Sequence, residues 1–200
     1  MNEFKSGHDL EVSVSEMQTI YLVILGVVIV VIYGAVTIYN RLAKYRNAAD
    51  ANMGQIKVAL KKRLDMIEQL LGAVRGYVAH EREVFESIAK LRAGVTDADT
   101  GSVNDIDRES RAIVNNLLAV AEAYPELKAS ENVKDLMEAI VDVEDEIARH
   151  RYTYNNVVQE YNTMQDTIPS NIVAGATGAR KLSYLEFEGE IERRPDVSVK

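Results

Sequence analysis

His80-Glu81 opens like the helical zinc-hydrolase pattern, in which two histidines four residues apart hold the metal and the glutamate beside the first acts as base. The second histidine would fall at residue 84, which is a valine. A carboxylate-bridged di-iron centre needs Glu-x-x-His pairs on two helices. Here Tyr77 and Ile147 stand three residues before His80 and His150. Asp97-Ala98-Asp99-Thr100-Gly101 has the start of a calcium loop or of an aspartyl-protease triplet. The loop would need glycine at its sixth position and glutamate at its twelfth, where the chain has Ser102 and Arg108. The protease would need strands around the triplet, and helical patterns flank it instead. Cysteine is absent, which removes thiolate chemistry and any disulfide framework. The expectation is no enzyme, no catalytic residue, no metal and no cofactor.

The remaining polar residues of interest are structural candidates. Asp142, Glu144, Asp145 and Glu146 form an acidic run that would face water and pair with Arg149 and Arg151 at helical spacing. Glu144 lies beside an apolar seam, as Arg63 does on an earlier helix. A charge there needs a partner, so a cross-helix pair is expected among Arg63, Glu81, Glu144 and Arg151. Tyr154-Asn155 and Tyr161-Asn162 repeat at seven residues and echo Tyr39-Asn40. Core packing with locally satisfied polar tips is their expected role, ahead of a ligand site.

The elements that carry these residues are helices. From Leu42 to Leu91 apolar residues recur every three or four positions, among them Ile56, Leu60, Ile67, Leu70, Val74, Ile88 and Leu91. Gly72 and Gly76 are weak points, so either this stretch bends or breaks near Gly72, giving four helices, or it stays one long helix along which the two later helices run in series. Gly94–Ser102 reads as a loop, with Ser102 or Asn104 able to cap a helix that buries Ile106, Ile113, Val114, Leu117, Leu118 and Ala121 and ends before Pro125. The last helix starts after Ser130. Steps of seven from Val133 give Ile140, Ile147, Tyr154, Tyr161 and Ile168, and from Leu136 they give Val143, His150, Val157 and Met164. That is the pattern of a coiled coil or bundle. Beyond Pro169 comes a tail with an extended-looking stretch, Leu182–Phe187, and a mobile charged end from Glu188 to Lys200.

What precedes the bundle is a membrane anchor. Met17–Asn40 carries no charge and is followed by Arg41, Lys44 and Arg46. As a helix it reaches about 36 Å, enough for a hydrocarbon core of about 30 Å. The leader 1–16 has Glu3, Asp9, Glu11 and Glu16 against Lys5 alone, so it lacks the basic start of a cleavable signal. The basic flank places the N-terminus outside and the C-terminal portion in the cytoplasm. The chain has 23 basic and 31 acidic residues. Setting the leader aside leaves 22 against 27, which disfavours nucleic acid as a partner. The expected division is a leader over 1–16, a transmembrane helix over 17–40, a bundle over 41–168 and a tail over 169–200.

Several ordered blocks give the chain a resemblance to the LemA family. After the anchor come Tyr39-Asn40-Arg41-Leu42 with Arg46-Asn47, Gln55–Arg63 with Asp65, and Val74–Glu81. Further on are Ala123–Ala129, Glu144–Arg151, Tyr154-Asn155, Tyr161-Asn162 and Ile168–Asn171. The resemblance implies a single-pass membrane protein with an up-and-down bundle, usually of four helices, and no established catalytic activity. Two departures are visible. Ile67-Glu68 stands where the family commonly has a proline after its Leu-Ile, and Gly178-Ala179 replaces a usual Gly-Phe.

The combined expectation is an all-α protein: one transmembrane helix, then an antiparallel up-and-down bundle of three long segments forming four helices. Its expected role is a membrane-anchored interaction or scaffold module. The expected partners are the lipid bilayer and a membrane or cytoplasmic protein, or a second copy in a homo-oligomer. The rival readings are a membrane-tethered hydrolase using His80 and Glu81, and a signalling relay.

Overall fold

A computed structural model describes residues 3–78 and 80–186, with side chains described from Glu16 onward. Six helices follow in order: α1 (Glu3–Ala73), α2 (Glu81–Val95), α3 (Thr100–Ala123), α4 (Pro125–Ala129), α5 (Glu131–Asp166) and α6 (Ser170–Ala176). No strand occurs among the described residues. The chain divides into two compact units, one holding the chain up to Lys44 with Thr163–Arg180, the other Tyr45–Asn162 with the chain from Lys181.

In the first unit, α1 is long and apolar enough to cross a membrane, with a mean hydropathy of 2.7 in its most apolar window and none of that window buried. Its backbone is already helical from Glu3, so the expected leader is no separate element. The Thr37 hydroxyl donates to the Tyr33 carbonyl at 2.9 Å, which satisfies a polar group inside the apolar stretch. Pro169, expected to stop α5 and open a tail, is instead followed by α6, in which Ser170 and Ala174 are buried. Gly178 ends α6. Its amide bonds the Gly175 carbonyl and the Ala179 amide reaches Ala174, a Schellman closure that needs the left-handed φ of +69° at Gly178. Ile168, the last apolar step of the expected seam, is exposed.

The second unit is a helical bundle formed by α1 from Tyr45, α2, α3 and α5, with α4 as a short connector. Of the two expected alternatives for the first segment, the break near Gly72 is the one observed. After α1 the chain turns through Val74–Tyr77, and Gly76 takes φ +91°, open to glycine at little cost. His80 also adopts a left-handed conformation, φ 60°. Arg75 and Glu81 close the turn with a 2.9 Å ion pair. Cross-helix contacts fix α1 and α2 as antiparallel: Lys57 and Lys61 reach Thr96, while Arg92 reaches Asp65 and Glu68. The Tyr77 and Tyr124 rings meet at 4.7 Å and 58°, joining the α1–α2 turn to the α3–α4 junction.

Four local expectations are revised. The expected loop over Gly94–Ser102 shrinks to Thr96–Asp99, because α3 already begins at Thr100. Its cap is Asp99, whose Oδ1 accepts the Ser102 amide at 2.8 Å; Ser102 supplies the donor rather than the cap. Pro125 ends α3 but also starts α4 from its first position, where its missing amide and preset φ suit a helix start. The heptad seam of α5 slips as well. Tyr154 and Tyr161 stay buried, but Arg151 and Val158 replace His150 and Val157 as the buried companions. A straight helix loses about 20° per heptad against a strict seven-residue repeat, so the buried face moves one residue along. The stretch Glu188–Lys200, and Phe187 of the extended stretch, lie outside the described residues.

Ser102's amide and then its hydroxyl hold the Asp99 carboxyl below its ordinary pKa. A depressed folded-state pKa contributes stability above the unfolded-state value, and that contribution is lost as pH falls through the folded-state value. Asp99→Ala should therefore lower Tm near neutral pH, and the gap to the parent chain should close in acid. Thermal melts followed by circular dichroism across pH 2–7 check this; a gap independent of pH would contradict it.

Candidate functional site

Two constellations in the second unit gather most of the polar residues singled out above. The first is a polar layer through the bundle core. Residues Ile56, Leu60, Arg63, Ile67, Leu70 and Val74 form the buried stripe of α1, and Val103, Asp107, Ser110, Val114, Leu117 and Ala121 form that of α3. Both alternate steps of three and four, and Arg63, Asp107 and Ser110 occupy places where the pattern calls for apolar side chains. Arg63 is fully buried. Its Nη1 donates to Glu144 Oε1 at 2.7 Å. Its Nη2 donates to Asp107 Oδ1 at 2.7 Å, to the Asp107 carbonyl at 3.0 Å and to Ser110 Oγ at 2.5 Å. Ser110 in turn donates to the Ile106 carbonyl. Arg151 on α5 donates to the other Asp107 oxygen, and Arg111 lies 3.3 Å from that oxygen and 3.4 Å from Glu144 Oε2. One guanidinium thus links α1 to both α3 and α5, and one carboxylate receives three arginines.

The expected cross-helix pair is seen as Arg63–Glu144. The other two members separate from it. Glu81 sits in the exposed turn with Arg75. Arg151 turns away from the acidic run to Asp107, because its position on the slipped seam faces the core. Within the run, Glu146 pairs with Lys62 across helices at 3.1 Å and stands 4.0 Å from His150. His80 is 74% exposed on its side chain, with Glu83 3.3 Å away. Asp107 is hidden in the sequence because Ile106 beside it already fills the apolar pattern. The available signal was its place four residues after Val103 and seven before Val114.

In the second constellation the two Tyr-Asn pairs of α5 pack into the core as expected, but local satisfaction of their polar tips is corrected. The tips of Tyr154, Asn155 and Asn162 are met by a segment remote in sequence. Asn155 Nδ2 donates to the Leu185 carbonyl at 2.8 Å, and its Oδ1 accepts the Leu185 amide at 2.9 Å. Asn162 repeats the arrangement on Leu182, with both bonds at 2.9 Å. Between them the Tyr154 hydroxyl donates to the Ser183 carbonyl at 3.1 Å, and Glu186 N donates to Asn104 Oδ1 at 3.3 Å. Leu185 is buried in the core, and Tyr161 is buried one turn from Val158. A primary carboxamide offers one donor and one acceptor side by side, matching the C=O and N–H of a single extended residue. Two asparagines about 10.5 Å apart along α5 match residues 182 and 185, since three extended residues span about 10 Å. The segment runs antiparallel to α5.

No group of three or more His, Cys, Asp or Glu side chains able to hold a metal occurs among the described residues. An open groove of about 690 Å³ lies between the end of α1 and α2, lined by Glu68, Leu71, Gly72, Arg75, Glu81 and Phe85 among others.

The class these features define is an all-α protein with one helix able to cross a membrane and a four-helix bundle, keyed by a buried arginine layer and clasped by its own C-terminal segment. The profile of the LemA family matches residues 52–199, and the chain belongs to that family. It is 22% identical to Magnetosome protein MamQ 2 of Paramagnetospirillum magneticum, covering 82% of this chain and 71% of that protein. It is 26% identical to Protein LemA of Metamycoplasma hominis, covering 77% and 71%. With Magnetosome protein MamQ of Magnetospirillum gryphiswaldense it shares 21% identity over 74% of this chain and 64% of the relative.

Removing Arg63 takes the central guanidinium from two carboxylates and leaves Asp107 to Arg151 and Arg111 and Glu144 to Arg111 alone; breaking a buried pair costs about 3–5 kcal/mol. Arg63→Ala should lose that much stability, and Glu144→Ala less, because Glu144 keeps partial access to water. The double variant should lose less than the sum, as read by denaturant melts; additive losses would show no coupling. Asn155→Ala and Asn162→Ala should each cost about 1–3 kcal/mol by orphaning backbone groups of the docked segment. Faster hydrogen exchange at the Leu185 and Leu182 amides respectively is the check.

Proposed function

We propose that this protein is a membrane-anchored helical interaction module, a scaffold that performs no chemical step itself. The observation carrying this reading is where the polar chemistry goes. Arg63, Asp107, Glu144 and Arg151 are spent on one another inside the core, and Tyr154, Asn155 and Asn162 on the chain's own backbone. Side chains committed in this way hold a shape, whereas catalysis needs groups that are free to meet a substrate. The exposed surface of the bundle unit is left for partners, with apolar residues such as Phe85, Val141 and Tyr152 open to solvent. Two of the relatives carry the name of magnetosome proteins, which favours a role on a membrane-associated assembly. Arg41, Lys44 and Arg46 favour the topology with the N-terminus outside and the bundle in the cytoplasm.

Affinity capture of the full chain from native membranes should enrich a stoichiometric protein partner or a second copy; a clean monomer with nothing enriched would overturn the scaffold reading. Topology is testable because the chain has no cysteine. Glu126→Cys, on exposed α4, should react with a membrane-impermeant maleimide only after the cells are permeabilised.

A further inference from the structure

The Asn155–Asn162 face of α5 is built to read a peptide backbone. Its four carboxamide bonds fall on the amides and carbonyls of Leu182 and Leu185, and the Tyr154 bond falls on a carbonyl. Main-chain bonds of this kind give affinity for any extended segment, while the core site that takes Leu185 selects a leucine three residues after the first clamped one. The docked segment, Leu182-Ser183-Tyr184-Leu185, is not part of any helix. It follows Gly178, whose left-handed turn closes α6, and the non-helical link Ala179–Lys181.

We propose that this face is a peptide site that the tail of a second copy of this chain occupies in place of the chain's own, so that two membrane-tethered copies exchange tails. The bonds made by an exchanged tail are the same as those made in one chain, so exchange gains and loses almost nothing in contacts. Its cost is the entropy of bringing two copies together, and confinement to one bilayer raises their effective concentration and lowers that cost. A foreign protein would have to reproduce both the extended backbone and the leucine spacing, whereas every copy of this chain carries them. The inference deepens the scaffold reading above and rests on it, naming the partner as the protein itself.

Complementation between two full-length variants in liposomes tests it. One carries Asn155→Ala and Asn162→Ala, with its tail intact; the other carries Leu185→Asp, with its clamp intact. Each is labelled with one dye of an energy-transfer pair, and melts recorded by circular dichroism establish that both are folded. The mixed pair should transfer energy several-fold above either variant paired with itself. Adding the unlabelled peptide Arg-Lys-Leu-Ser-Tyr-Leu-Glu-Phe should abolish the gain. Transfer in the mixed pair no greater than in the self-pairs overturns exchange. If the wild type then still associates, or captures another protein from membranes, the scaffold reading survives that failure. Binding of a dye-labelled form of the same peptide to the Leu185→Asp chain, without transfer in the mixed pair, also overturns exchange and gives the face to another protein's segment. If either variant fails to fold, peptide competition against self-transfer of the wild type decides: loss of transfer supports exchange and unchanged transfer overturns it.

Discussion

A guanidinium with no access to water constrains the bundle more than any apolar contact in it. Arg63 is fully buried on α1, and an ion in that position is tolerable only when its charge is met, as it is at both terminal nitrogens, which meet carboxylates, while Nε makes no hydrogen bond. That demand fixes three helices at once. α3 must present Asp107 and Ser110 on consecutive turns of its buried stripe, and α5 must bring Glu144 to the other side of the same guanidinium. A Leu at position 63 could tolerate α3 sliding by a turn, since one apolar stripe packs against another in several registers. An Arg cannot, because a one-turn slide replaces Asp107 with Val103 or Ser110, neither of which carries a charge, and strands the guanidinium. Register, rather than net stabilisation, is therefore the layer's main physical product.

The same layer explains why Asp107 receives three arginines. Arg151 and Arg111 approach the oxygen that Arg63 leaves open, and Glu144 takes the surplus positive charge through Arg63 and Arg111. A single Arg–Asp pair would position two helices only. Spreading the charge over α1, α3 and α5 makes the packing of each conditional on the other two.

Much of the helical architecture was legible because it rests on local signals. Uncharged Met17–Asn40, the three-and-four spacing of α1, α3 and α5, and Gly76 and Pro125 as punctuation each act within a few residues. The differences have two sources, local signals that compete with one another and contacts between helices. The Thr96–Asp99 loop looked longer than it is because Gly101 and Ser102 favour loops on their own, while the Asp99 cap carries the first turn of α3 across them. Strict sevenfold counting puts His150 in the seam, whereas the accumulated rotation of a straight helix brings Arg151 there. α6 was hidden by Pro169, which stops one helix without preventing the next. Asp107 and the partners of Asn155 and Asn162 depend on which helices meet, and no periodicity within one segment carries that information.

The two polar constellations make opposite use of the same chemistry. In the arginine layer, side chains satisfy side chains, so the specificity is encoded in residue types and fails if one partner changes. In the clasp, carboxamides satisfy backbone, which is present at every position, so the asparagines alone do not fix where the tail sits. Sliding by one residue would still offer an amide and a carbonyl to each, but would carry Leu185 out of the core position it fills. The burial of Leu185 resolves this: only the observed register puts that leucine in the core and leaves the neighbouring Tyr184 exposed. The bundle thus sets the register of its long helices by a costly charge and that of its terminal segment by an apolar side chain, with the hydrogen bonds in the second case holding a position they do not choose.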